Sequence, residues 1–109
     1  MNQSLQALED QYFLLRGSLD TFKQQGATPE QIEQLRSQIV RSRANYWKAI
    51  DSIFHDDDPE VSNLILQLNT EQETLTASIH HLENIAEVLN AVNKAVDIGS
   101  QLVSKAISV

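Results

Sequence analysis

The chain has 109 residues and a net charge of −7, with 41% hydrophobic residues and no cysteine. One small domain with a modest core fits that length and composition. Without cysteine, disulfides, thiolate zinc sites and cysteine nucleophiles are excluded, and a cytoplasmic location is the expectation.

The charge is unevenly placed. Residues 1–54 balance Glu9, Asp10, Asp20, Glu30, Glu33 and Asp51 against Arg16, Lys23, Arg36, Arg41, Arg43 and Lys48, whereas residues 55–109 carry nine acids and two bases. An acidic chain without a basic face repels phosphate backbones, so nucleic acid is not expected as a partner. The N-terminal "MNQSLQALEDQYFLL" has no basic stretch followed by an apolar run, as a cleaved signal would. No run of about 18 uncharged apolar residues suggests a spanning helix.

Helical periodicity runs throughout, interrupted where Gly and Pro sit. A first helix is expected near residues 4–25, with Leu5, Leu8, Tyr12, Leu15, Leu19 and Phe22 three and four apart on one seam and Gly26 at its end. Thr28 then caps a second helix near 29–54, with Pro29 at its first position and Gln31 completing a capping box. Ile32, Ile39, Tyr46 and Ile53 repeat every seven residues along it, and Leu35 and Ala49 share their side. Val40, Trp47 and Phe54 make a neighbouring stripe, so this helix is expected to contact two neighbours.

Asp58 and Pro59 open a third helix near 59–107, with the preceding Asp run suited to the helix dipole. Val61, Leu68, Leu75, Leu82, Leu89, Val96 and Val103 hold one seven-residue phase, which favours a single continuous helix over a fresh start at Thr70 and Glu73. The expected fold class is therefore all-α: an antiparallel three-helix bundle with a long, coiled-coil-like C-terminal helix. At 1.5 Å per residue the three helices run roughly 33, 39 and 73 Å. Antiparallel pairing about the turn near 56–57 sets residue i of the second helix opposite about 114 − i of the third. Everything beyond residue 85 then overhangs the first two helices.

That overhang is apolar: 14 of the 25 residues from 85 to 109 are Ala, Val, Ile or Leu. Left in water, such a face is unfavourable by about 25 cal/mol per Å². A second copy is the expected cover, giving a homodimer through residues 85–107, and another helical protein is the alternative partner. The contact residues would be Ile85, Leu89, Val92, Val96, Leu102, Val103, Ala106 and Ile107, with Gly99 allowing close approach. A fold-back breaking at Gly99 or among Asn84, Asn90 and Asn93 is the remaining way to cover it within one chain. Membrane insertion is disfavoured, because the stretch lacks a Lys/Arg-rich polar face.

Arg36 and Arg43 fall inside the apolar arc of the second helix, and a buried arginine needs a partner. The same arithmetic sets Arg43 opposite Glu71 and Arg36 near Glu73 and Ser78, so a structural Arg43–Glu71 ion pair is expected. "HDDD" at 55–58 reads as a cap and solvated turn, since successive residues cannot converge on one ion. His80 and His81 read as surface residues, and no nucleophile–base arrangement or phosphate loop is present. No enzyme activity, metal or cofactor is expected. The function expected is a non-catalytic helical interaction or oligomerisation module. Its rivals are a membrane-active helical protein and an acidic partner, such as an immunity protein or antitoxin, using Asp56, Asp57, Asp58, Glu60 and Glu83.

Overall fold

A computed structural model describes residues 3–108, the side chains of residues 107 and 108 excepted. The described residues form an all-helical fold with four helices: α1 (Gln3–Gln24), α2 (Pro29–Ile50), α3 (Pro59–His80) and α4 (Ile85–Ser104). A two-residue antiparallel pairing joins β1 (Ser52–Ile53) to β2 (Ile107–Ser108), with Ile53 opposite Ile107.

The helix ends follow the punctuation in the sequence. Gly26 takes φ 88°, the left-handed region that glycine enters without penalty. There Ala27 N donates to Phe22 O and Gly26 N to Lys23 O, closing α1 with a Schellman turn. Thr28 Oγ1 accepts from Gln31 N at 3.1 Å while Gln31 Oε1 accepts from Thr28 N at 2.9 Å, the reciprocal pair of a capping box. Asp58 caps α3 by accepting from Glu60 N at 2.8 Å.

The expected 59–107 helix is corrected to two. It stops at His80, turns through residues 81–84 and restarts at Ile85 with Asn84 Oδ1 accepting from Glu87 N at 3.1 Å. The bundle therefore has four helices rather than three, and no overhang remains, because α4 returns along α3. Glu71 meets Lys94 at 2.9 Å and Glu60 meets Lys105 at 2.6 Å, which fixes the antiparallel register. The physical reason lies in the breadth of α4's apolar face. Val88, Leu89, Val92, Ala95, Val96, Ile98, Gly99, Leu102 and Val103 are all buried, and only helices on several sides can cover them.

Around the bundle the order is α1, α2, α4, α3. α2 and α3 occupy opposite corners with no close approach, and the 51–58 connection crosses the end of the bundle between them. α1 and α3 run parallel, Ser4 lying beside Asp56 and Thr21 beside Ile79. α2 and α4 run parallel too, joined by Arg41–Asp97 at 3.0 Å and Asn45–Ser100 at 3.1 Å.

The core falls into two clusters. One gathers Leu8, Ala49, Val61, Leu64, Ile65, Leu68, Ile98 and Leu102 near the linker end, and the other Leu15, Phe22, Leu35, Leu75, Leu89, Val92 and Val96 near the opposite end. Buried Gln11 lies on α1 between them, its Nε2 donating to Ala95 O at 2.8 Å. That bond replaces water for the amide N–H, while Gln11 Oε1 is buried without a hydrogen-bond partner. Gly99 permits the close helix approach expected of it, and the helix that approaches is the chain's own α1.

The ion pair expected between Arg43 and Glu71 is not formed. Glu71 holds Lys94, and the Arg43 guanidinium lies 5.2 Å from the centroid of the Trp47 ring. The diagonal placement of α2 and α3 makes the expected pairing geometrically impossible, for Arg36 as well as Arg43.

Candidate interaction surface

The residues expected to make an intermolecular contact lie together, inside the chain. Leu89, Val92, Val96, Gly99, Leu102 and Val103 are buried, and Ile85 and Ala106 are half-buried. Ile107 enters through its backbone pairing alone, its side chain lying outside the described residues. In the folded chain this surface is already covered.

Among the described residues, the largest group of exposed apolar side chains is on α2 and the segment after it, while Phe13 on α1 and Leu66 on α3 are exposed singly. A helix places residues three, four and seven apart on one face. In α2, Leu35, Ser42 and Ala49 point inward, which turns Val40 and Trp47 outward. Trp47 is 59% exposed, Val40 53%, Ile50 52% and Ile53 49%, forming one strip from mid-helix into β1. α2 contacts two helices, α1 and α4, as its two stripes predict, but both pack on its inward side, so Val40 and Trp47 stay exposed while Phe54 of the same stripe packs against the core. The sequence signal for that exposure was Arg36 and Arg43, charged residues interleaved with the apolar ones.

Arg43 lies over the Trp47 ring, a cation–π contact that pre-orders two large side chains on the surface. Arg36 borders the strip, sharing a shallow depression with Glu33, Ser37 and Val40. On the α1 side, Tyr46 stacks on Tyr12 at 6.1 Å between ring centroids, with Phe13 6.2 Å away. Tyr46 OH donates to Glu9 Oε2 at 3.1 Å, and accepting that proton's bond favours the neutral phenol, raising its pKa above the ordinary value.

A second depression runs along the α1–α3 seam, lined at one end by Phe13, Leu14, Gly17, Thr21, Ile79 and His80. Gln72 lies at the other end, its Oε1 buried without a hydrogen-bond partner.

The acids of the 55–60 region have structural work. Asp56 accepts from Gln3 N at 2.8 Å and from Ser4 Oγ at 2.5 Å, Asp58 caps α3, and Glu60 holds Lys105. Asp57 and Glu83 are exposed. Among the described residues no three His, Asp or Glu side chains are grouped to hold a metal ion, and no helix is long and apolar enough to cross a membrane. Comparison with protein-family models, curated proteins and solved structures finds no match to this chain.

Proposed function

We propose that this protein is a non-catalytic helical protein–protein interaction module whose contact surface is the outward strip of α2. The observation that carries the reading is Trp47, the chain's one tryptophan, 59% exposed among Val40, Ile50 and Ile53. Tryptophan and arginine are the residue types that dominate binding energy at protein interfaces, and apolar neighbours with a charged border complete such a patch. α2 also suits this role electrostatically. From Pro29 to Ile50 it carries Arg36, Arg41, Arg43 and Lys48 against Glu30 and Glu33, in a chain of net charge −7. The fitting partner is a helix with an apolar stripe and carboxylates opposite Arg36 and Arg43. We assign the interaction to the cytoplasm, which a chain without cysteine suits.

The test is a photo-reactive amino acid placed at position 40 or 47 in the cells that make the protein, with exposed Gln101 of α4 as the control position. Crosslinked adducts from 40 and 47, and none from 101, are expected. Adducts absent from both α2 positions would overturn the reading.

A further inference from the structure

Beyond the α2 surface, and using none of its exposed residues, we propose that α4 is an exchangeable element. A second copy of this chain takes it up, giving a dimer in which residues 59–104 form one continuous helix and each α4 fills the α4 position of the partner's bundle.

The first observation is the seven-residue phase. Val61, Leu68, Leu75, Leu82, Leu89, Val96 and Val103 are all buried, although a turn separates the fourth from the fifth. A helical hairpin has no need to keep its heptad through the turn, because each arm sets its own face. A continuous helix does need it. Leu82 keeps the phase from within the turn itself and is buried there.

The second observation is the turn's chemistry. Residues 81–84 are His-Leu-Glu-Asn, with no glycine or proline, and no non-glycine residue of the described chain has positive φ. Asn84 sits at φ −118° in extended backbone and His81 at φ −128°, both with the negative φ that any residue adopts. Nothing there forbids helix. His81 N donates to Ala77 O at 3.3 Å, the regular i to i−4 bond that ends α3, so the turn itself is held by the Asn84 cap on Glu87 N and by buried Leu82. Straightening keeps the first bond and exchanges the cap for regular helical bonds.

The third is the register. Glu71–Lys94 and Glu60–Lys105 place residues that sum to 165 opposite each other, so the pairing is centred between Leu82 and Glu83. That point lies within the turn, so two straightened copies crossing there antiparallel reproduce every α3–α4 contact, each made with the partner. Exchange of an identical element keeps the core contacts and changes only the hinge, which makes it a low-cost route to a dimer at equilibrium. The straightened helix is 46 residues, about 69 Å long, against a longest extent of 42 Å for the folded-back chain.

The experiment uses Glu71→Cys with Lys94→Cys in the full chain, which has no cysteine of its own. The protein is refolded at high concentration, fractionated by size, and treated with a short bismaleimide. Dimer whose crosslinks run between chains, seen as doubled mass in denaturing gels, is the expected result, with monomer fractions linked within one chain. Asn84→Ala removes one cap per chain and should raise the dimerisation constant about thirtyfold. Glu83→Pro, which breaks the straight helix, should lower the dimer fraction. A dimer fraction linked only within chains, or no dimer in wild type and Asn84→Ala alike, overturns the proposal. Neither result touches the α2 surface, which the position-47 crosslink tests separately.

Discussion

Gln11 and Gly99 are matched across the α1–α4 contact: a Cβ at position 99 would stand 2.7 Å from Gln11 Oε1 and 3.3 Å from Leu8 Cδ2. Gln11 cannot simply swing away, because its Nε2 is held by Ala95 O at 2.8 Å. Gly99→Ala should therefore destabilise the protein by about 1–2 kcal/mol, the overcrowding outweighing alanine's better helix propensity. Urea unfolding measures it. The loss should shrink when Gln11 is already alanine, and equal losses in both backgrounds would separate the two residues.

Val96 and Trp47 should behave oppositely on substitution. Val96 is fully buried beneath α4, so Val96→Glu places a charge where no partner waits, and circular dichroism should show loss of the fold. Trp47→Ala removes only a surface cation–π contact, worth about 0.5–1 kcal/mol, and the melting profile should barely change. Partner adducts formed from position 40 should nevertheless be lost.

Thr28→Ala should cost about 1 kcal/mol, because it removes the hydroxyl that accepts from Gln31 N while leaving the Thr28 N to Gln31 Oε1 arm in place. Chemical denaturation reports the change, and an unaltered midpoint would show that α2 is held by packing alone.

Alkaline pH should weaken the fold through two groups. Lys105 is raised above the ordinary lysine value by the hydrogen bond and charge of Glu60, and Tyr46 is raised above 10.0 chiefly by its hydrogen bond to Glu9. In each case the folded state keeps its proton longer than the unfolded chain. The stabilisation is therefore complete below the unfolded pKa and lost as pH rises through the folded one. The window opens near pH 10, Lys105 is exposed and Tyr46 half-buried, and salt should narrow the effect, more for Lys105 than for Tyr46. Stability measured from pH 8 upward should fall more gently in Lys105→Met and Tyr46→Phe than in wild type.

The local signals of the fold were legible because they are local. Gly26, Thr28-Pro29 and Asp58-Pro59 satisfy orphaned backbone groups within a few residues of themselves, so their reading needs no tertiary knowledge. The break at 81–84 is legible only as an alternative, with Asn84 among the positions named for a fold-back, because the turn carries no glycine or proline and the unbroken heptad phase from Val61 to Val103 favours a continuous helix. Arg43–Glu71 failed because pairing arithmetic assumes that consecutive helices are neighbours, while the 51–58 linker crosses to the far corner. The candidate site suffered from both errors. The face of residues 85–104 was correctly read as one that must be covered, and its cover turned out to be α1, α2 and α3. Trp47 was assigned a neighbour that the fold does not supply.

The return of α4 along α3 hides the tail and leaves the α2 strip as the largest group of exposed apolar side chains among the described residues. Spin labels on Ser62→Cys and Ser104→Cys, in dilute protein, measure it directly. Labels near each other, within about 20 Å, are the expected result, because antiparallel arms bring these positions opposite one another. A single distance of about 63 Å, the length of 42 residues of unbroken helix, would contradict it.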